Sequence, residues 1–497
     1  MAGGEVHDSA RMSDFEAVMW ELERDPQLSS AFANVTVFDR PPDRERLRRR
    51  MDLASRAVPR LRQRVVPAPA RLAPPEWRDD PDFDLDHHLR WVDLGGDASD
   101  RDLYDLVATL TKQPFDRQRP LWEFVVIDGL SGGRAAMAQR LHHTITDGEG
   151  GIRISVQFLD LERDPAPPPE PADVGNGNGD EPSAADADAE DDPTADGSDD
   201  GSWLPRTAGA LGHVARRSAE QAAKAVGSVG SLVRHPDQIP SKGADLVAVT
   251  RSAVRQVTID GRRSPLWTER SLDRWFGTTR LHLDDVRSAA HELGGSVNDL
   301  FVAGAASAAA AVHEAAGTPV DELRVSIPVS TRHDRRAGGN AFAPSQALVA
   351  TGPMAAAERF AAVHDALDVV KQERVLGSMQ GAAAAVNLLP TAALVRTGQR
   401  MAGAVDFVCS NVKAAPFDLF ISGAFIQANY PIGPIAGTAF NLTTMSYRGW
   451  MFLGLLVDPA AVADPQELLD ALDEAYTDLL EAGGVTAPVR TDEHLPG

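Results

Sequence analysis

The first 160 residues alternate between hydrophobic patterns typical of helices and of strands. Arg44 to Val58 carries apolar Leu47, Met51, Leu53 and Val58 between basic residues, and Pro59 follows, so it predicts a helix that ends there. Leu121 to Ile127 and Arg134 to His143 are rich in strand-forming residues and flank a glycine-rich turn, which predicts a β-hairpin.

The second half of the chain repeats this alternation. "RLHLDDVRSAAHELGG" predicts a strand followed by a helix, and "SVNDLFVAGAASAAAAVHEAAG" predicts a second helix. "ELRVSIPVSTR" predicts a strand, and "TAFNLTTMSYRGWMFLGLLVD" predicts two strands joined at Tyr447 to Gly449. A last helix is expected near Asp464-Pro465. Helices mixed with strands in both halves indicate an α/β fold.

A long acidic segment separates the two halves. Asp164 to Asp200 holds 13 acidic residues, no basic residue and no aromatic residue. Such a segment buries too little apolar surface to offset its ordering entropy, so we predict a disordered linker at 164–202. The predicted domains are an N-terminal lobe at 1–163, connecting helices at 203–262 and a C-terminal lobe at 263–497.

The stretch after the linker has two interpretations. Trp203 to Val233 places apolar residues at helical spacing, with Arg216, Arg217, Lys224 and Arg234 among or just beyond them. It is either a helix or helix pair packed on the core, or a basic amphipathic surface that lies on a membrane.

Composition and charge exclude several classes of protein. The net charge of −23 argues against nucleic acid as a partner, although much of it belongs to the linker. A single cysteine, Cys409, allows no internal disulfide and fits a reducing compartment. The longest mostly apolar run, Leu300 to Val312, has 13 residues, whereas a spanning helix needs about 20. With no signal-like start, we expect a cytoplasmic protein that does not cross a membrane.

Two adjacent histidines precede an Asp-Gly pair in "QRLHHTITDGEGG", which gives His142, His143, Asp147 and Gly148. Neighbouring strand residues point to opposite faces, so the two rings are badly placed to share a metal ion. A second pair, His87 and His88, lacks the Asp-Gly spacing and is expected to be structural or exposed.

One histidine of the first pair suits general-base chemistry. A neutral imidazole can take a proton from an alcohol, thiol or amine, and needs no covalent intermediate when two substrates meet there. Asp147 would then fix the loop, and Gly148 would allow a tight turn. No Gly-x-Ser-x-Gly motif is present, and Cys409 lies in an apolar run typical of a buried thiol.

These residues resemble the bacterial wax ester synthase/diacylglycerol acyltransferase family of the CoA-dependent acyltransferase superfamily. The histidine motif matches the superfamily's HHxxxDG pattern, and six further segments match the family in order. They are Pro120-Leu121-Trp122, Asn298-Asp299, the segments around Pro328, Arg332, Gly339 and Asn340, and the late "CSNV" and "MSYRG". The chain departs from the family at Lys413-Ala414-Ala415-Pro416, where Pro-Gly-Pro is common.

The resemblance implies a fold and a reaction. The fold would be two chloramphenicol-acetyltransferase-like α/β lobes that form a pseudo-dimer with a tunnel between them. The reaction would move a fatty acyl group from acyl-CoA, a co-substrate, to diacylglycerol or a long-chain alcohol. No cofactor or metal is implied, and the protein would touch a membrane or lipid droplet peripherally.

The resemblance also implies roles for particular residues. His143 would be the general base, supported by His142, Asp147 and Gly148, and the substrate contacts would come from Pro120, Leu121, Trp122, Asn298 and Asp299. Each substrate contact has a structural alternative: Trp122 as a core residue, and Asp299 as part of a helix cap that begins at Ser296. Alternatives for the whole protein are a condensation-type enzyme that uses a carrier-protein thioester, and an idle lipid-binding scaffold.

Overall fold

The computed structural model describes residues 11–69, 73–146, 151, 154–165, 261–330, 342–372 and 390–486. The described chain forms two six-stranded sheets, each packed with helices, and a small two-stranded sheet. The predicted α/β class with two sheet-containing lobes is therefore confirmed. The predicted linker and connecting helices fall almost entirely at 166–260, outside the described residues, so their structure stays a prediction.

The first sheet has the strand order β11-β12-β1-β6-β5-β4. Its strands are β1 (Ala31–Phe38), β4 (Leu89–Ala98), β5 (Trp122–Leu130), β6 (Ala135–His142), β11 (Phe420–Ile421) and β12 (Ala424–Ile432). The predicted hairpin is β5 and β6, which pair antiparallel with Trp122 opposite Leu141. Strands β2 (Gln63–Val66) and β3 (Glu76–Asp79) form the small sheet.

The second sheet has the order β7-β14-β13-β10-β8-β9. Its strands are β7 (Trp275–His282), β8 (Glu322–Ser330), β9 (Phe342–Ala350), β10 (Phe407–Lys413), β13 (Phe440–Tyr447) and β14 (Trp450–Val457). The pattern-based strands of the second half are confirmed as β7, β8, β13 and β14. The last two meet at Tyr447 opposite Trp450.

The helices follow their sequence signals closely. They are α1 (Asp14–Leu22), α2 (Arg44–Ala57), α3 (Leu85–His88), α4 (Asp100–Lys112), α5 (Leu283–Glu292), α6 (Val297–Ala315), α7 (Ala356–Gln372), α8 (Thr391–Gly403) and α9 (Pro465–Ala482). Helix α6 begins with Ser296 as its cap, and α9 begins with Asp464 as its cap and Pro465 in its first turn. Both helices therefore begin where the sequence predicts. The side chains of Ser296 and Asp464 accept hydrogen bonds from backbone N–H groups that would otherwise be free in the first turn.

A segment from the end of the chain completes the first sheet. β12 pairs antiparallel with β1, and places Asn429 opposite Thr36. The first hydrophobic core accordingly includes Ala428, Tyr430 and Ile432 together with many residues from the first 160 positions of the chain. The second core packs α5, α6 and α9 against the second sheet. The boundary expected at 263 therefore does not separate the two sheets, because β11 and β12 follow it in the chain but belong to the first sheet.

Within the described ranges, no single helix is long and apolar enough to cross a membrane. The α5 and α6 pair meets that test only when its two helices, bent by 91° at their junction, are taken together.

Candidate active site

The histidine pair lies at the end of β6, a strand in the interior of the first sheet. His142 is the last residue of β6 and stands opposite Ala31 of β1. Its backbone N–H donates to Leu121 O at 3.0 Å, and the His143 N–H donates to Ser30 O at 3.2 Å. The segments that lead into β5 and β1 therefore both fix the backbone of the histidine pair.

His142 is held rigidly by the protein. Its side chain is buried, and its Nδ1 accepts a hydrogen bond from the Thr144 backbone N–H at 3.1 Å. Because Nδ1 is an acceptor, the neutral ring carries its proton on Nε2. That N–H donates to Oε2 of Glu23 at 3.0 Å. The ring is thereby fixed in one tautomer and one orientation.

Glu23 is a site residue that the sequence analysis missed. It follows α1 directly, and its carboxylate also accepts from Ser29 Oγ at 2.7 Å and from the Ser30 N–H at 2.8 Å. Burial alone would raise the pKa of Glu23, but the hydrogen bonds that its carboxylate accepts from His142, Ser29 and Ser30 lower it overall. Glu23 is therefore an ionised partner that binds the start of β1 to His142.

His143 has different surroundings from its neighbour. Its side chain is half-buried, and its ring lies against the ring of Phe32 with centroids 4.6 Å apart. His142 thus contacts Glu23 while His143 contacts a strand residue of β1. Asp147 and Gly148 lie outside the described residues, so their roles stay predictions.

The Pro120-Leu121-Trp122 segment adjoins the histidine pair through the backbone bond from His142 to Leu121. Trp122 is buried, and its indole N–H donates to Leu61 O at 2.8 Å. Pro120 and Trp122 also line a cavity of about 390 Å³ together with Phe115 and Arg140. The contacts of Trp122 are those of a core residue, and substrate contact by this segment stays a prediction.

His88, from the second histidine pair, packs against Trp122. His88 is buried, its ring stacks on Trp122 with centroids 4.6 Å apart, and its Nδ1 lies 2.8 Å from Trp122 O. Burial lowers the pKa of His88 to about 4. His87 is exposed. The expected structural or exposed placement of this pair is therefore confirmed.

Asn298 and Asp299 lie in the first turn of α6. The Asp299 carboxylate accepts from the Ser296 N–H and Oγ, each at 2.8 Å, and forms the predicted capping box. It also pairs with His364 Nδ1 of α7 at 2.9 Å. Asn298 Oδ1 accepts a weak bond from Asn411 Nδ2 at 3.4 Å, which brings the Asn-Asp and Ser-Asn-Val segments together. Substrate contact by either residue stays a prediction.

The Asp299–His364 pair predicts a pH-dependent contribution to stability. The pKa of His364 is raised by the hydrogen bond that its ring donates to the Asp299 carboxylate, and the pKa of Asp299 is lowered because that bond and the bonds from Ser296 outweigh burial. The His364 contribution is complete below pH 6.5 and is lost as the pH rises through its folded pKa. The Asp299 contribution is present above pH 3.8 and is lost on acidification.

We expect Asp299→Asn to lower the free energy of unfolding by about 1 kcal/mol from the weakened cap. The difference from wild type should be larger between pH 4 and 6.5 than at pH 8, because the charged pair is complete only in that window. Urea denaturation of wild type and variant from pH 4 to pH 8 measures this difference in the free energy of unfolding. A difference that does not change with pH would contradict the ion pair.

Other chemistry is not favoured by the described part of the chain. Cys409 is buried, and burial raises the pKa of its thiol. Within the described ranges, no group of three or more His, Cys, Asp or Glu side chains is arranged to hold a metal ion.

Known structures share this architecture. A wax ester synthase/diacylglycerol acyltransferase from Marinobacter aquaeolei VT8 matches with a TM-score of 0.61 at 21% identity, covering 95% of this chain and all of that one. The first condensation domain of the CDA synthetase matches with a TM-score of 0.57 at 16% identity, covering 98% of this chain and 99% of that one. The fold is therefore that of the two-lobed, chloramphenicol-acetyltransferase-like class.

Sequence comparisons identify the family within that class. The wax ester synthase/diacylglycerol acyltransferase catalytic domain matches residues 12–301, and the C-terminal domain of the same family matches residues 338–480. A putative diacylglycerol O-acyltransferase of Mycobacterium tuberculosis (strain H37Rv) is 31% identical over 489 residues, which covers 97% of this chain and 95% of the relative. A probable one from strain CDC 1551 is 27% identical, covering 82% and 84%. The chain belongs to the wax ester synthase/diacylglycerol acyltransferase family and is an acyltransferase.

Proposed function

We propose that the protein transfers a fatty acyl group from acyl-CoA to the hydroxyl of diacylglycerol or of a long-chain alcohol, with His143 as the general base. The observation that carries this proposal is the contrast between the two histidines. His142 has both ring nitrogens engaged by Thr144 and Glu23, whereas the half-buried ring of His143 lies beside Phe32. His142 thus supports the loop that carries His143.

The proposed chemistry has two steps. The acceptor hydroxyl gives its proton to His143 as its oxygen attacks the thioester carbonyl carbon, and a tetrahedral oxyanion forms. The C–S bond then breaks, and the imidazolium returns the proton to the departing sulfur. The products are an ester and free CoA.

The family supports the choice of substrates. Relatives at 31% and 27% identity carry the name diacylglycerol O-acyltransferase, and the family name covers both kinds of acceptor. We propose acyl-CoA and a lipid hydroxyl as the partners, no cofactor, and peripheral contact with a membrane or lipid droplet in the cytoplasm.

Product analysis tests the choice of acceptor. Purified protein is incubated with labelled palmitoyl-CoA and diacylglycerol, hexadecanol or no acceptor, and the lipids are identified by mass spectrometry. We expect labelled triacylglycerol, labelled wax ester or both, and neither without an acceptor. Free palmitate as the only labelled product would contradict transfer to a hydroxyl.

A further inference from the structure

A helix from the second half of the chain packs on the turn that carries Glu23. α8 follows α7 and leads into β10 of the second sheet, but it contacts α1 and the short 3₁₀ helix Pro26–Leu28 that comes after α1. Glu23 lies between these two elements, and its carboxylate fixes the ring of His142. We call the segment from Leu22 to Leu28 the Glu23 turn. α8 therefore brings the second half of the chain next to the support of the histidine pair.

Two kinds of contact join α8 to the Glu23 turn. Gly398 lets the helix approach closely, because a Cβ atom at this position would lie 2.6 Å from Leu22 Cδ2 and 3.1 Å from Leu28 Cδ1. One residue later, Gln399 Nε2 donates to Asp25 Oδ2 at 2.6 Å, which is a charge-assisted hydrogen bond. Apolar packing and a hydrogen bond thus act on the two ends and the middle of the same short turn.

The far end of α8 is fixed to the second lobe. Arg262 Nε donates at 2.8 Å to the carbonyl oxygen of Gly403, the last residue of the helix. Asp406, just before β10, accepts from the backbone N–H groups of Ser264 and Arg324 at 3.0 and 2.8 Å. The helix has 13 residues and is therefore about 20 Å long. α8 is thus a rigid connection from the second lobe to the Glu23 turn.

Hydrogen bonds within the Glu23 turn connect the contact with α8 to the carboxylate of Glu23. That carboxylate accepts from Ser29 and Ser30, just after the turn. Within the turn, Asp25 Oδ1 accepts from the Gln27 N–H at 3.0 Å, while Asp25 Oδ2 accepts from α8. A displacement of α8 therefore moves the turn, and the Glu23 carboxylate moves with it.

We infer that Gly398 and Gln399 are positioning residues for the reaction. They set the position of the Glu23 carboxylate, and thereby that of the His142 ring and of the loop that carries His143. This inference rests on the proposed function, in which His143 is the base. Neither residue of α8 needs to touch substrate, because a misplacement of about 1 Å that originates far from the reacting atoms can cost about 10²-fold in rate. The reaction of a histidine in the first lobe therefore depends on the docking of a helix from the second.

Gly398→Leu tests the apolar contact, because the added side chain pushes α8 away from Leu22 and Leu28. We expect kcat to fall about 10-fold, and the KM values for palmitoyl-CoA and for the acceptor to change less than about twofold. Gly398→Ala should keep most of the kcat, since the nearest Leu22 atom is the end of a flexible side chain and alanine is the better helix former. Steady-state kinetics of the full chain measure these effects.

Gln399→Leu tests the polar contact without a steric change at Gly398. Gln399 is exposed, so this variant keeps its fold, and we expect kcat to fall about threefold from one lost hydrogen bond. Arg396→Ala is the matched control, because Arg396 is also exposed on α8 and lies about half a turn from the buried Leu394. It should keep the wild-type kcat. An equal loss in this control would overturn the inference.

The double variant Glu23→Ala/Gly398→Leu separates positioning from a general loss of stability. If α8 acts through Glu23, the kcat of the double variant should equal that of Glu23→Ala within about twofold, although its melting temperature should be lower. Losses of kcat that multiply in the double variant would overturn the inference alone, as would wild-type kcat in both Gly398→Leu and Gln399→Leu. No transfer by wild type to any acceptor, or a fully active His143→Ala, would overturn the proposed function and the inference with it.

Discussion

His143→Ala is expected to lower kcat/KM for acyl transfer about 10²- to 10⁴-fold, which is the usual contribution of a positioned general base. The neighbouring His142 cannot replace it, because its ring is already bonded to Glu23 and Thr144. The fold should tolerate the change, since His143 is only half-buried. Steady-state kinetics and thermal denaturation of the variant measure the two effects.

His87→Ala is the matched control for that variant. His87 is the first member of the second histidine pair, and it is exposed and belongs to α3. We expect wild-type rates from it. A His143→Ala enzyme with more than about a tenth of wild-type activity would exclude His143 as the base.

Glu23→Ala is expected to weaken both the fold and the reaction. It removes a charged acceptor from the buried His142 N–H and from Ser29 and Ser30, so the free energy of unfolding should fall by about 1.5–3 kcal/mol. The loop that carries His143 then loses its support, and a small misplacement of a catalytic group can cost about 10²-fold in rate. We expect kcat to fall by this order while KM changes little.

Two further variants distinguish positioning from simple instability. Glu23→Gln keeps an acceptor for the His142 N–H and should recover most of the kcat. Glu21→Ala removes another buried carboxylate near the end of α1, one that pairs with Arg24 rather than a histidine. It should lower stability without a comparable loss of kcat. Equal kcat losses in the Glu21 and Glu23 variants would mean that Glu23 acts only on stability.

The stabilisation by Glu23 also has a defined pH dependence. Its pKa in the fold lies below the ordinary value of 4.5, so its contribution is present above pH 4.5 and is lost as the pH falls through the folded pKa. We therefore expect acid to weaken the hydrogen-bonded support of His142.

The elements that the sequence predicted are those with local signals. The apolar alternation of β6, the Ser296 cap of α6 and the Asp464-Pro465 start of α9 each depend on residues within a few positions of one another. The structure confirms all three because packing and local preference agree there. The order of the motifs along the chain likewise predicts the family that the sequence comparisons identify.

The missed features depend on contacts between distant segments. Glu23 lies 119 residues before His142, and its hydrogen bond has no periodicity that a single sequence displays. Thr36 and Asn429 are 393 residues apart, and they meet only because β12 from the end of the chain pairs with β1. The resemblance predicts a substrate contact for Asp299, whereas its described contacts are the helix cap that the sequence also predicts and an ion pair with His364.

Acceptor-dependent release of CoA from palmitoyl-CoA, measured for wild type and His143→Ala side by side, tests the central claim most directly. A thiol reagent follows the free CoA with diacylglycerol, with hexadecanol and without acceptor. The account predicts that wild type releases CoA faster when an acceptor is present and that the variant loses this acceptor-dependent rate. Release that is independent of acceptor, or equal in the two proteins, would contradict it.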